Sequence, residues 1–120
     1  MVKRIYKLAT RQQWAEARDM GQFLGAPVDL ADGFIHFSTA AQVEETARKH
    51  FQGVDDLLLL AVSVEQLSAL EGPLKWEPSR GGALFPHLYA SMPVSAVMEE
   101  FALPMDGEGF HVFPQLQQEE

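Results

Sequence analysis

The sequence predicts a single-domain α+β fold, and three observations carry that expectation. Segments with strand character outnumber convincing helices. The two kinds do not alternate in the regular way that builds a doubly wound sheet. One continuous apolar run, Leu57-Leu58-Leu59-Leu60-Ala61-Val62, is bounded by Asp55-Asp56 and Ser63 and reads as a central strand buried on both faces. The 120 residues fit one domain with a core that needs no covalent staples. No glycine-rich dinucleotide fingerprint and no P-loop pattern interrupts them.

Taken in order, Arg4 to Ala9 reads as a strand, and Thr10-Arg11-Gln12-Gln13 forms a capping box for a helix that runs to about Met20 and stops at Gly21. Trp14, Ala17 and Met20 share its core-facing side by spacing. Phe23 to Asp32, with Gly25 and Pro27, reads as an irregular connection, and Phe34 to Ser38 as a strand. A second capping box, Thr39-Ala40-Ala41-Gln42, predicts a helix with Val43, Ala47 and Phe51 inward and Gly53 at its end. Its N-terminus would then lie beside the Phe34–Ser38 strand, where unpaired N–H groups attract anions. Beyond the apolar run come a short helix over 64–70, a turn at Glu71-Gly72-Pro73, a strand over 74–77 and a loop over 78–82. An extended piece over 86–90, a break at Met92-Pro93, one helical turn over 94–97 and a last strand over 98–103 complete the domain, residues 1–104. Residues 105–120 form a polar, Gln/Glu-rich tail expected to be loosely attached.

Composition removes several classes of function. With no cysteine, the chain has no disulfide framework, no zinc-thiolate site and no iron–sulfur cluster, and a reducing, cytoplasmic setting is the default. The basic start, Met1 to Ile5, lacks the apolar core of a signal peptide, and no stretch approaches the roughly 20 apolar residues of a membrane helix. A net charge of −8 opposes binding of extended nucleic acid, which depends on neutralising phosphates, but leaves room for a small nucleotide.

Two stretches carry the chemistry. In Asp32-Gly33-Phe34-Ile35-His36-Phe37-Ser38 and in Phe85-Pro86-His87-Leu88-Tyr89, a histidine precedes a hydroxyl by two residues, so His36 with Ser38, and His87 with Tyr89, project from one face of a strand. Ahead of the second stand Glu77 and Arg80, with Gly81-Gly82 allowing close backbone approach. That inventory suits a polar small molecule bearing phosphate or ribose. The plainer reading, in which both histidines are hydrogen-bonded packing residues, is open at this point. The four histidines, 36, 50, 87 and 111, are too dispersed for a metal site, and no nucleophile elbow supports a serine hydrolase. A two-histidine phosphoesterase, each imidazole serving one half of an acid–base pair, fits His36-Phe37-Ser38 better than His87-Leu88-Tyr89, where tyrosine replaces the small hydroxyl.

Tyr6-Lys7-Leu8-Ala9-Thr10 with Trp14, Val28-Asp29-Leu30-Ala31-Asp32-Gly33-Phe34-Ile35-His36-Phe37-Ser38, Lys75-Trp76-Glu77-Pro78-Ser79-Arg80-Gly81-Gly82 and Phe85-Pro86-His87-Leu88-Tyr89 together resemble the bacterial family known as domain of unknown function 952, over about residues 4 to 104. The resemblance implies an ADP-ribosyltransferase-like fold, a split antiparallel sheet with short flanking helices and NAD in a central cleft. It implies that His36 contacts a ribose of NAD with Ser38 beside it, that Tyr89 stacks on nicotinamide, and that Arg80 grips the pyrophosphate. Glu77 would stabilise the ribosyl cation, with Glu99 or Glu100 as competing carboxylates because the family's catalytic glutamate lies on a later strand. The RNA 2′-phosphotransferase branch of that fold also uses a His-x-Ser strand, but with more arginines than this chain offers. The resulting expectation is a protein that binds NAD or a related nucleotide without a metal, using His36, Ser38, Glu77, Arg80, His87 and Tyr89. ADP-ribosyl or phosphoryl transfer is the chemistry implied. A non-catalytic nucleotide-binding or regulatory module is the alternative.

Overall fold

The apolar run at 57–62 becomes the middle of the molecule. In a computed structural model, which describes residues 2–70 and 73–116 with the side chain of Arg80 excepted, β4 (Leu57–Ser63) lies between β1 (Arg4–Thr10) and β8 (Val97–Ala102), antiparallel to both. Alternation along these strands sends side chains to two separate cores. Ile5, Ala9, Leu58, Leu60 and Val62 pack on one face with Trp14, Ala17 and Leu67. Tyr6, Leu8, Leu57, Leu59 and Ala61 pack on the other with Val43, Ala47 and Leu103. The fold is α+β, with antiparallel sheets and few short helices.

The first helix, α1 (Arg11–Met20), forms as its sequence dictates. Thr10 Oγ1 accepts from the amide of Gln13 at 3.1 Å, the Gln13 side chain accepts from the amide of Thr10 at 2.9 Å, and Gly21 closes the helix in the left-handed region at φ 85°. Met20 departs from its expected place and is 57% exposed. The chain turns at Gly21 and continues into β2 (Gln22–Phe23), which delivers Phe23 to the same core as Trp14 and Ala17.

The segment read as an irregular connection is more ordered than its composition implies. β2 pairs with β7 (Met92–Pro93), the dipeptide expected only to break the chain, and Pro27 begins α2 (Pro27–Asp32). Proline suits the first helical position, where its missing N–H has no intrahelical partner. Asp29 Oδ2 accepts from the amide of Ala26 at 2.7 Å, and Gly33 ends the helix at φ 86°.

The next helix, α3 (Val43–His50), starts later than the Thr39–Gln42 box predicts. Gln42 does reach back to the amide of Thr39 at 3.0 Å, but residues 40–42 form a turn and Gln42 itself precedes the helix. Glu44 and Glu45 occupy the first helical turn, so this N-terminus is no anion site beside Ser38. At the other end Phe51, not Gly53, caps the helix; Gly53 has a φ of 80° and donates to Gly109 O at 2.8 Å.

A short helix, α4 (Val64–Ser68), leads to residues 71–72, where the expected Glu71-Gly72-Pro73 turn falls largely outside the described residues. A second three-stranded sheet follows, in the order β3 (Ile35–His36), β6 (Leu84–Leu88), β5 (Leu74–Pro78). The loop over 78–82 contains a single 3-10 turn at Arg80–Gly82, and Val94–Ala96 forms another before β8. The segment after Pro104 does not trail away up to Leu116. Met105 bridges His111, the His111 ring donates from Nε2 to Val54 O at 2.8 Å, and Phe113 and Leu116 pack against the core that holds Val43. Among the described residues no helix is long and apolar enough to cross a membrane.

Leu59 has no exposed surface and lies on the central strand. Leu59→Ala should therefore lower unfolding stability by about 2–5 kcal/mol, read from urea denaturation, with secondary structure retained.

Candidate functional site

The two sheets meet at one point. Beyond β3 the chain reaches Ser38, which exchanges both backbone hydrogen bonds with Tyr6 of β1, at 2.7 and 2.9 Å. Away from that bridge the sheet splits, and a cavity of about 760 Å³ opens against β1, β3 and β6. Its volume falls within the range of small-molecule sites, roughly 300–1,000 Å³. Tyr6, Lys7, Asp32, His36, Ser38, Thr46, Ser79, Phe85 and His87 are among its lining residues, as is His50 at the end of α3.

Strand register explains why the sequence-predicted residues come together. His36 lies directly opposite His87, and His87 is in turn opposite Lys75, so the alternate positions on either side share that face: Phe34 and Ser38, Phe85 and Tyr89, and Glu77. The rings form one cluster. Phe34 stacks on His87 at 4.1 Å between centroids and lies 4.5 Å from His36 and 5.2 Å from Tyr89, while the two imidazoles stand edge to face at 5.5 Å.

Each imidazole is oriented by carboxylate. Asp29 Oδ1 lies 2.6 Å from His36 Nδ1, and Asp32 Oδ2 lies 2.9 Å from His36 Nε2. Asp29 is only 2% exposed and also accepts from the amides of His36 and Ala26, at 3.1 and 2.7 Å. Its countercharge is Lys7, whose Nζ is 3.1 and 3.0 Å from the two carboxylate oxygens and 2.9 Å from the carbonyl of His36. Burial pushes the Lys7 ammonium down, opposed by the charge and hydrogen bond of Asp29. Burial would likewise push the Asp29 carboxyl up. The hydrogen bond from His36, the charge of Lys7 and the two backbone amides outweigh it and hold the group at about 2 against an ordinary 3.8.

On the other strand pair, Glu77 Oε1 accepts from the Tyr89 hydroxyl at 2.7 Å and lies 2.8 Å from His87 Nδ1. Those two contacts, Tyr89 first, hold the Glu77 carboxyl below the usual range, and the same bond pushes the Tyr89 phenol up. Glu77 is a third exposed at its side chain and Tyr89 is 37% exposed, so both remain open to solvent.

Of the residues singled out from sequence, His36, Ser38 and His87 line the cavity, and Glu77 and Tyr89 join them through His87 without lining it. Ser38 is buried, and its hydroxyl shares a hydrogen bond with Thr46 at 3.2 Å. The backbone of Arg80 follows Ser79 into the 3-10 turn, while its side chain lies outside the described residues. The competing carboxylates do not reach this place. Glu99 is ion-paired with Arg4 at 2.6 Å on β8, on the far side of β4 from β1, and Glu100 is an exposed residue of the same strand. Sequence reading missed Lys7, Asp29, Asp32 and Phe34 as site residues. Lys7 carried a signal, since a lone charge within the strand Ile5 to Ala9 demands a buried partner. Phe34 carried another, standing two residues before His36. Among the described residues no His, Asp and Glu side chains are grouped so as to hold a metal ion.

Residues 8–100 match the family described as "Protein of unknown function (DUF952)". The chain belongs to that family. Among solved structures, the crystal structure of protein CC0527 from Caulobacter crescentus is 50% identical, with 91% of this chain and 93% of that one covered and a TM-score of 0.85. The solution NMR structure of CC0527 is also 50% identical, with 89% and 90% covered and a TM-score of 0.77. No curated protein matches the chain.

The lowered Asp29 carboxyl ties stability to pH. Because the unfolded chain takes up the proton first, the contribution is complete above about pH 4 and is lost as pH falls toward 2. Asp29→Asn should flatten this acid limb in urea unfolding measured from pH 7 to pH 2. It should also cost about 3–5 kcal/mol at neutral pH, because Lys7 is left buried without its countercharge.

Proposed function

We propose that the cavity binds NAD or a related nucleotide, and that Glu77 serves ADP-ribosyl transfer from it. The observation that supports this reading best is the ring cluster on one sheet face, Phe34, His36, His87 and Tyr89, coupled through His87 and Tyr89 to a partly exposed carboxylate. Stacking surface, imidazoles and a carboxylate are what a base, a sugar and a cationic ring require. The residues fit the group: the split antiparallel sheet leaves a cavity of about 760 Å³ lined by Asp32, and Glu77, held on the cavity-lining His87, adds negative charge that complements a pyridinium. The ADP-ribosyltransferase-like fold is the architecture this reading assigns to the split sheet.

The roles of the chain's own groups follow from their positions. His36, fixed by Asp29, holds Asp32 on its Nε2 and so places that carboxylate beside the sugar hydroxyls. Tyr89, anchored by its hydroxyl to Glu77, presents its ring for stacking. Glu77, held below the usual carboxylate range by Tyr89 and His87, is the group this reading assigns to the positive charge that develops as a ribosyl bond to nicotinamide breaks. Arg80 retains its sequence-based role at the pyrophosphate.

One observation favours a second reading. His36 and His87 face one another in register, each with Nδ1 on a carboxylate, as a two-histidine phosphoesterase would require. Against it, His36 Nε2 is occupied by Asp32, and Lys7 is neutralised by Asp29.

Isothermal titration with NAD and ADP-ribose, together with nicotinamide release measured by chromatography, separates these possibilities. Glu77→Gln should keep nucleotide affinity within about twofold while nicotinamide release falls by roughly 100-fold. His36→Ala should weaken binding by about tenfold, as expected when the Asp32 carboxylate that meets the sugar loses the ring that anchors it. Both variants must first melt as the unmodified protein does. Nucleotide binding without nicotinamide release would make the protein a non-catalytic binding module. Hydrolysis of a 2′,3′-cyclic phosphodiester in place of NAD cleavage would establish the phosphoesterase.

A further inference from the structure

The polar end of the cavity around His36 is built of acceptors. Asp32 is the last residue of α2, with its side chain 48% exposed, and its Oδ2 lies 2.9 Å from His36 Nε2. Nδ1 of the same ring is held 2.6 Å from the buried Asp29. Both ring nitrogens therefore already face carboxylate oxygens. The ammonium of Lys7, which also lines the cavity, is directed at both oxygens of Asp29 and at the carbonyl of His36. Oδ1 of Asp32, by contrast, has no hydrogen-bond partner among the described residues, on a side chain that lines the cavity and is half exposed.

A phosphomonoester placed against His36 would meet the Asp32 charge, while both ring nitrogens and the Lys7 ammonium are already engaged by carboxylates. Like charges brought together in a cleft cost affinity steeply. A pair of vicinal hydroxyls has the opposite relation to the same atoms. It can donate to Asp32 Oδ1 and accept nothing, leaving the His36–Asp32 contact in place.

We infer that Asp32 is a specificity-determining residue, which admits a vicinal diol such as that of ribose at His36 and excludes a phosphomonoester from the same position. The inference deepens the nucleotide reading and rests on it for the rest of the ligand, whose phosphates then lie away from His36, where Ser79 lines the cavity.

Two titrations test it. The first compares 5′-AMP with 2′-AMP and 3′-AMP. The unmodified protein should bind the 5′ isomer at least roughly tenfold more tightly than the other two, and Asp32→Asn should bring the three within about threefold. Equal affinities in the unmodified protein, or a preference that survives Asp32→Asn, would overturn the inference. The second titration needs no nucleotide to bind. Inorganic phosphate is added to ¹⁵N-labelled protein while the His36 ring nitrogens are followed by NMR. The ring should stay unmoved in the unmodified protein and shift saturably in Asp32→Asn. A saturable shift in the unmodified protein, or no shift in either, would contradict the role of Asp32. If no adenosine nucleotide binds, the nucleotide reading fails while this second titration still decides the exclusion of phosphate.

Discussion

The buried contact between Lys7 and Asp29 is the interaction from which the cavity takes its shape. It joins three elements that are distant in sequence: the middle of β1, the short helix α2, and β3 through the ring, amide and carbonyl of His36. Removing two charges from water costs several kcal/mol for each ion, so such a pair persists only where further hydrogen bonds complete it. Here they do. Asp29 accepts from Lys7, from both His36 donors and from Ala26, and Lys7 adds the His36 carbonyl. Its mutual orientation of β1 and β3 lets the sheet divide beside Tyr6 and Ser38 while remaining joined there.

The other half of the site is held more loosely, and that difference separates a buried half from an accessible one. Glu77 and Tyr89 are open to solvent, where screening makes charged contacts weak contributors to stability. Their hydrogen bond instead sets protonation: Glu77 is kept ionised and Tyr89 protonated over a wide pH range. Phe34 connects the halves by stacking on His87 and approaching His36 and Tyr89. A rigid imidazole anchored from within thus stands opposite an imidazole whose partners remain accessible to a ligand.

The local signals in the sequence were legible where neighbours along the chain determine the outcome. The apolar run at 57–62 has one packing solution, the Thr10–Gln13 box closes on itself, and the two-residue spacing of His36 with Ser38 and His87 with Tyr89 fixes their faces. What remained hidden depends on long-range contacts. The six-residue α2 has no apolar periodicity, and its first turn is held by Asp29, itself anchored by Lys7. β2 and β7 have two residues each and exist through their mutual pairing, which periodicity cannot reveal. The Thr39 box misplaced the start of α3 because its side-chain bond also satisfies an isolated turn. The segment after Pro104 reads as polar, yet Phe113, Leu116 and the buried His111 secure it against the body of the protein.

One side of the β3-β6-β5 sheet, on this account, is a single nucleotide-binding surface. The most direct measurement is an NMR titration of isotope-labelled protein with NAD, following the ring resonances of His36, His87 and Tyr89 at once. The three should move together with one saturation curve, while the amide of Met98, on β8 and outside the cavity lining, stays unchanged. Saturating NAD that leaves all three rings unmoved, or shifts them with unrelated affinities, would contradict a shared site.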